Sequence, residues 1–237
     1  MSLERLDKIL AASGHYSRSE AKTAIARGRV TVDGVPVTRP EAKVARAALV
    51  VADGRELDTA EFVYYMMNKP AGYISATEDE RLPAVTGLLP KELQKRGLFP
   101  VGRLDADVTG LLLLTDDGGY AHRVTAPRRE VPKGYEAWLD KPVGEEAVAA
   151  MARGITLRDG TAYKPAELAP DEADGCHAFV TVTEGKFHEV KNLFAACGCH
   201  VLRLKRVSIG ALTLDEKLLP GQFRRLSEEE REAVFQN

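Results

Sequence analysis

The sequence predicts an α+β protein: a small αβ module at the N-terminus and a larger domain on a mixed, mainly antiparallel sheet with flanking helices. Three observations lead there. Two short helical stripes run straight into an alternating hairpin pattern before residue 38. A polar, Gly-containing stretch at residues 53–61 then breaks the pattern, which divides the chain into a module at 1–58, a linker at 59–61 and a second domain at 62–237. Beyond it, strand-length and helix-length apolar segments follow one another without strict βαβ alternation.

Taken in order, Leu3, Leu6, Ile9 and Leu10 recur at helical spacing, and Gly14 ends that helix. Ser17-Arg18-Ser19-Glu20 reads as a capping box opening a second helix, which carries Ala21, Ala24 and Ile25 and closes at Gly28. Val30 to Val37 alternates around Asp33-Gly34, a hairpin signal. Strands are expected at Phe62 to Met67, Leu111 to Leu114, Tyr135 to Leu139, Phe179 to Thr183 and Val201 to Val207. Helices are expected at Glu145 to Ala152, His188 to Ala196 and Glu228 to Phe235, the last capped by Ser227 with Glu230.

The chain has 237 residues, 44% hydrophobic and 29% charged, an ordinary globular balance. Charged residues crowd its start (Glu4, Arg5, Asp7, Lys8), and the apolar run Leu111–Leu114 is far short of the ~20 residues of a membrane span. Membrane and secreted classes are therefore excluded, and a cytoplasmic protein is expected. The three cysteines, Cys176, Cys197 and Cys199, suit a reducing compartment, and no second pair completes a zinc site. Net charge is −2, yet three basic islands stand out at 1–46, 122–133 and 186–206, a distribution that suits a polyanion partner.

The order of elements in the first 50 residues, with Arg5-Leu6-Asp7-Lys8, Ser17-Arg18-Ser19 and Gly28-Arg29-Val30, resembles the S4 RNA-binding domain. Arg5, Lys8, Arg18, Lys22, Arg27 and Arg29 are its candidate RNA contacts, cations on rigid helices that neutralise phosphates.

Further on, Val101 to Gly110 is polar and Gly-rich and runs into the apolar Leu111–Leu114. It reads as a loop feeding a buried strand, a common place for a reactive carboxylate. Spacing alone does not choose between Asp105 and Asp107. Gly102-Arg103-Leu104-Asp105 with Thr109 to Thr115, Lys69-Pro70-Ala71-Gly72, Lys133-Gly134-Tyr135, and Glu184 to Lys191 together resemble the motifs of the RsuA/RluB/RluE/RluF family of pseudouridine synthases. Phe187 to Lys191, Ile209 to Leu214 and Pro220 to Arg224 look like its small-subunit ribosomal RNA branch. Glu189, Asn192 and Val108 depart from that branch's usual residues, and Asn192 puts a phosphate contact in doubt.

The resemblance implies isomerisation of one uridine in ribosomal RNA, with Asp105 as nucleophile, Lys191 as its charge partner and Tyr135 stacking on the target base. Arg103 becomes a candidate for base flipping. No cofactor and no metal are implied. The expected partner is ribosomal RNA or an assembling small subunit, met by a monomer without a membrane. Alternatives are a large-subunit synthase of the same family, or a non-catalytic RNA-binding assembly factor.

Overall fold

The structure is a computed structural model, and it describes residues 3–236. The chain forms two compact units: residues up to Val63 together with Thr86–Leu98, and Tyr64–Val85 together with the chain from Phe99 onward.

In the first unit β1 (Leu3–Arg5) leads into α1 (Leu6–Ala12). The helical stripe placed Leu3 in that helix. Instead Leu3 is exposed in a strand paired with Lys43–Ala45, because the first helical amides donate to Ala42 O and Pro40 O and draw the preceding residues alongside that segment. The helix α2 (Arg18–Ala26) starts as expected: Ser17 Oγ accepts from Glu20 N, and Glu20 Oε2 accepts from Ser17 N at 2.6 Å. Strands β2 (Val30–Val32) and β3 (Val35–Pro36) flank Asp33 and Gly34, both at positive φ, which makes the tight turn that suits twisted strands.

After β4 (Lys43–Ala45), a second hairpin joins β5 (Val50–Ala52) to β6 (Arg55–Glu56) around Asp53-Gly54, also both at positive φ. The polar stretch 53–61 thus begins inside the module's four-stranded sheet, β3-β2-β5-β6. Leu6, Leu10, Ala21, Ala24, Ile25, Val30 and Val50 form the core of this unit. The helix α3 (Lys91–Arg96) also belongs to it, although its position in the chain suggests the larger domain. Arg96 donates to Ala60 O at 2.7 Å, and Gly14, at φ +78°, sits against the Glu92 backbone.

The second unit is built on β7 (Tyr64–Lys69), β8 (Phe99–Val101), β9 (Thr109–Thr115) and β10 (Lys133–Leu139), with α4 (Gly118–Thr125) between the last two. Next come α5 (Glu145–Arg153), the short pair β11 (Ile155–Thr156) and β12 (Ala162–Tyr163), then β13 (Glu167–Pro170) and β14 (His177–Val182). The chain closes with α6 (Glu189–Ala196), β15 (Val201–Ile209), β16 (Leu212–Thr213), β17 (Phe223–Arg225) and α7 (Glu228–Ala233). Sheet order is β13-β14-β10-β15-β9-β7-β17, with β8 on β9 and β16 on β15. The β9–β15 contact is parallel and the other ladders are antiparallel, which is the mixed, mainly antiparallel sheet expected.

Burial explains the Leu111–Leu114 run. Gly110 to Thr115 are all buried in the centre of the sheet, so no polar alternation survives. Strand β14 shows the alternation that β9 lacks. Ser227 and Glu230 cap α7 reciprocally, as the sequence indicates. Among the described residues no helix is long and apolar enough to cross a membrane.

Candidate active site

The loop between β8 and β9 carries Arg103, Asp105 and Asp107, and its backbone is fastened at several points. Lys69, wholly buried, donates to Val108 O at 2.7 Å, to Pro70 O at 3.1 Å and to Ala106 O at 3.3 Å. Gly72 N donates to Ala106 O, and Ser75 Oγ both donates to Leu104 O and accepts from Leu104 N. The Lys69-Pro70-Ala71-Gly72 element therefore acts as a clamp on the loop that presents the carboxylates.

Register across the sheet builds the floor beneath that loop. Tyr135 lies opposite Val180 and Arg206, and Lys133 lies opposite Val182 and Ile209. Residues directly opposite each other share a face. Tyr135, Arg206, Lys133, Val182 and Ile209 line one cavity of about 120 Å³ with Arg103, Asp105, His188 and Lys191. The structure thus brings Asp105, Tyr135, Lys191 and Arg103 together. Arg103 is exposed at this cavity, Asp105 is half-buried, and Tyr135 is buried in the wall.

Lys191, in the first turns of α6, lies 3.1 Å from Asp105 Oδ2 and donates to both Asp107 oxygens at 2.8 and 2.9 Å. It is shared rather than dedicated to one partner. Burial opposes the charge on Lys191, but its hydrogen bonds to Asp107 and Asp105 outweigh that and hold its ammonium above the ordinary range. Burial likewise works against the Asp107 carboxylate, and the Lys191 bond and charge still hold it below the usual range. Sequence spacing left Asp105 and Asp107 open. Their exposure separates them, because the Asp107 side chain is 73% exposed and that of Asp105 29%.

Two further groups have no site role in the sequence. His188 takes a left-handed backbone (φ +53°) at the start of α6, which brings Nε2 to 3.5 Å from Asp105 Oδ2. Glu189 is buried and accepts from Gly185 N at 2.6 Å and Lys186 N at 3.0 Å, pinning the turn that orients His188. Burial raises its carboxyl above the usual range against those two bonds. Asn192 donates to Tyr163 Oη at 2.8 Å, so its amide has an internal partner.

Lys133 is buried and donates to Val131 O at 2.7 Å. Burial, reinforced by the Arg206 charge, lowers it to about 8; burial lowers Lys69 to about 8 as well. The folded value lies below the ~10.4 of an unfolded lysine. Below about pH 8 the fold bears the full cost of the buried ammonium, and between about 8 and 10.4 the native state binds fewer protons, so stability rises with pH. Lys133→Met is therefore expected to flatten the stability–pH curve across that window, by on the order of 1–3 kcal/mol overall. Urea unfolding at pH 7.5 and 10 checks this; parallel curves for both proteins would refute it.

The cations of the first unit divide into two groups. Arg5 pairs with Asp7, Lys8 with Glu4 and Arg29 with Asp53. Arg18, Lys22 and Arg27 are exposed on or beside α2 without an ion pair among the described residues. In the second unit the basic islands do not all reach the cavity. Lys133, Lys186, Lys191 and Arg206 line it, whereas Arg203 stacks on Trp138, which alternates with Tyr135 and faces the other side of the sheet, and Arg123 stacks on Phe235.

Known proteins resemble this chain along nearly its whole length. Residues 63–196 match the family model described as RNA pseudouridylate synthase, and residues 4–50 match the S4 domain. An RNA pseudouridine synthase of Bacillus subtilis (strain 168), YtzG, described as uncharacterized, is 42% identical over 229 residues, covering 95% of this chain and 96% of the relative. Ribosomal small subunit pseudouridine synthase A of Escherichia coli (strain K12) is 40% identical over 232 residues, covering 97% and 99%. A crystal structure of a pseudouridylate synthase superposes with a TM-score of 0.69 at 36% identity, covering 98% of this chain and 99% of the other. The chain belongs to the RNA pseudouridylate synthase family. It is accordingly an isomerase of uridine in RNA, with an S4 domain at its N-terminus.

Proposed function

We propose that this chain converts one uridine of small-subunit ribosomal RNA to pseudouridine, with Asp105 as the nucleophile. The observation that carries the reading is the Asp105 carboxylate held 3.1 Å from Lys191 in the cavity whose wall is Tyr135. The small-subunit target is supported by the relatives named ribosomal small subunit pseudouridine synthase A.

The chemistry is an isomerisation. The bond from C1′ of the ribose to N1 breaks, a bond from C1′ to C5 forms, the C5 proton passes to water and N1 gains one. Asp105 attacks the base or the sugar carbon as an ionised carboxylate, and its bond to that carbon breaks again before the product leaves, so the carboxylate is regenerated. Lys191 supplies the opposing charge. A paired or stacked uridine is out of reach of such a cavity, so the nucleotide must flip in, where the Tyr135 ring takes its face. Arg103, exposed beside the cavity, fills the vacated stack or holds the backbone. Residues 1–58 recruit the RNA through Arg18, Lys22 and Arg27, with Arg5, Lys8 and Arg29 available where phosphate displaces their partners. Tethering to this module raises the local concentration of the 62–237 domain on one RNA. The protein works as a cytoplasmic monomer on free RNA or an assembling subunit.

The test is release of tritium from C5 of uracil. Small-subunit RNA so labelled should lose tritium to water on incubation with the protein, and large-subunit RNA should not. Release from large-subunit RNA alone would move the target, and release from neither would refute the reading.

A further inference from the structure

The role of Lys191 beside Asp105 leaves another cation of the same cavity unexplained. Arg206 lines the cavity on the face that carries Tyr135, its direct neighbour across the β10–β15 ladder, and only 3% of its surface is exposed. Its Nε donates to Leu111 O at 2.8 Å, which fixes the plane of the guanidinium. Its Nη2 is buried and has no hydrogen-bond partner among the described residues. A charged donor buried without an acceptor is expensive, and a fold that keeps one has a use for it. No carboxylate forms an ion pair with Arg206 among the described residues, and the buried Lys133 and Lys69 add like charge around it. The surroundings therefore favour an electronegative ligand atom.

The walls restrict what that ligand is. Leu104, Val182, Leu204 and Ile209 are buried apolar side chains facing the cavity, and Tyr135 offers a flat ring. A fully charged, hydrated phosphate would have to shed its water against these groups, whereas a planar base with carbonyl edges fits them. We propose that Arg206 contacts the substrate directly, its unpaired Nη2–H donating to a carbonyl oxygen of the flipped uracil. This rests on the reading of the cavity as the uridine-isomerising site. When the C1′–N1 bond breaks, its electron pair stays with the uracil and spreads over N1 and the carbonyl oxygens at C2 and C4. A cationic donor fixed in place before the reaction stabilises that charge without reorganising. The pair then returns from C5 to C1′ as the new bond forms, and the C5 proton leaves to water.

The experiment uses the full chain in single turnover on small-subunit RNA transcripts made with uridine, 2-thiouridine or 4-thiouridine, scored by chromatography of the digested nucleosides. Sulfur accepts hydrogen bonds poorly, so it deletes the partner as the substitution deletes the donor. R206M is expected to react on the order of 100-fold slower than wild type on the uridine transcript while its affinity falls by about tenfold at most, since contacts to the RNA backbone carry most of the binding. Wild type is expected to lose about tenfold on one of the two thio transcripts, and R206M nothing further on that transcript. Comparing the proteins on the same transcript removes any effect of sulfur on RNA folding. If R206M does not fold, R206K carries the same comparison, since it keeps the charge and lacks the Nη2 donor.

A folded variant that reacts at the wild-type rate overturns the proposal. So does a thio penalty of equal size in variant and wild type on both transcripts, which would leave Arg206 a purely structural cation. A wild type that modifies no uridine in any RNA fails the underlying reading instead, a distinguishable result.

Discussion

Asp105→Asn is expected to lower the isomerisation rate by on the order of 10⁴–10⁶, as removal of a nucleophile does elsewhere, while the protein stays folded and binds RNA. Asparagine keeps the shape of the side chain and an oxygen that can accept from Lys191, so the loop loses no fastening: its anchors are Lys69, Gly72 and Ser75, all acting on the backbone. What disappears is the negative charge and the attacking oxygen. Asp107→Asn is the matched control. That carboxylate is bonded to the same lysine but is largely exposed, and exposed ion pairs contribute ~1 kcal/mol or less. Its expected effect is about tenfold at most. Tritium release in single turnover separates the two, and an inactive Asp107→Asn beside an active Asp105→Asn would exchange their roles.

Gly110→Ala is expected to be strongly destabilising for the larger unit. Gly110, the second residue of β9, has φ +101°, a backbone that side chains avoid, and a Cβ there would stand 2.2 Å from Arg206 O and 2.9 Å from Arg206 N. Those are backbone atoms of the parallel partner strand, so neither partner can swing aside. The two strands must separate at Lys205 and Arg206, where their pairing brings the loop of Asp105 onto the floor. A loss of ~3 kcal/mol or more in urea unfolding is expected, with activity falling alongside. Gly118→Ala, at the start of α4 with open space around it, should change stability by no more than ~1 kcal/mol. A Gly110→Ala protein as stable as wild type would show that the close approach is not needed.

Where local chemistry decides a structure, it was legible. The Ser17/Glu20 and Ser227/Glu230 boxes, the Asp33-Gly34 turn and the buried run of β9 all follow from residue types at short spacing. Leu3 was misplaced because a helical stripe does not report that the segment around residues 40–45 competes for the preceding backbone. Asp53-Gly54 carries the same signal as Asp33-Gly34, but strands of two and three residues leave too little alternation to recognise. The allegiance of α3 rests on contacts distant in sequence, which no periodicity records.

The site shows the same division. Family resemblance singled out Asp105, Tyr135, Lys191 and Arg103, and they converge on one cavity. It did not show that Lys191 is divided between two carboxylates, nor that His188 reaches Asp105 through a left-handed backbone. Lys69, Lys133 and Arg206 were the least legible. A cation in a strand ordinarily lies on a solvated face, and only the register across β10 and β15 for Lys133 and Arg206, and across β7 and β9 for Lys69, with the cover above them, reveals that these three are buried.

The most direct measurement of the central claim is the structure of the protein bound to a small-subunit RNA fragment carrying 5-fluorouridine at the modified position. Fluorine at C5 leaves no proton to lose there, so the reaction stalls with the base in place. The account predicts a flipped pyrimidine ring lying on Tyr135, with its C6 or its ribose C1′ bonded to, or within ~3.5 Å of, an Asp105 oxygen. A base left in the RNA stack, or one whose reacting carbons lie nearest Asp107, would contradict it.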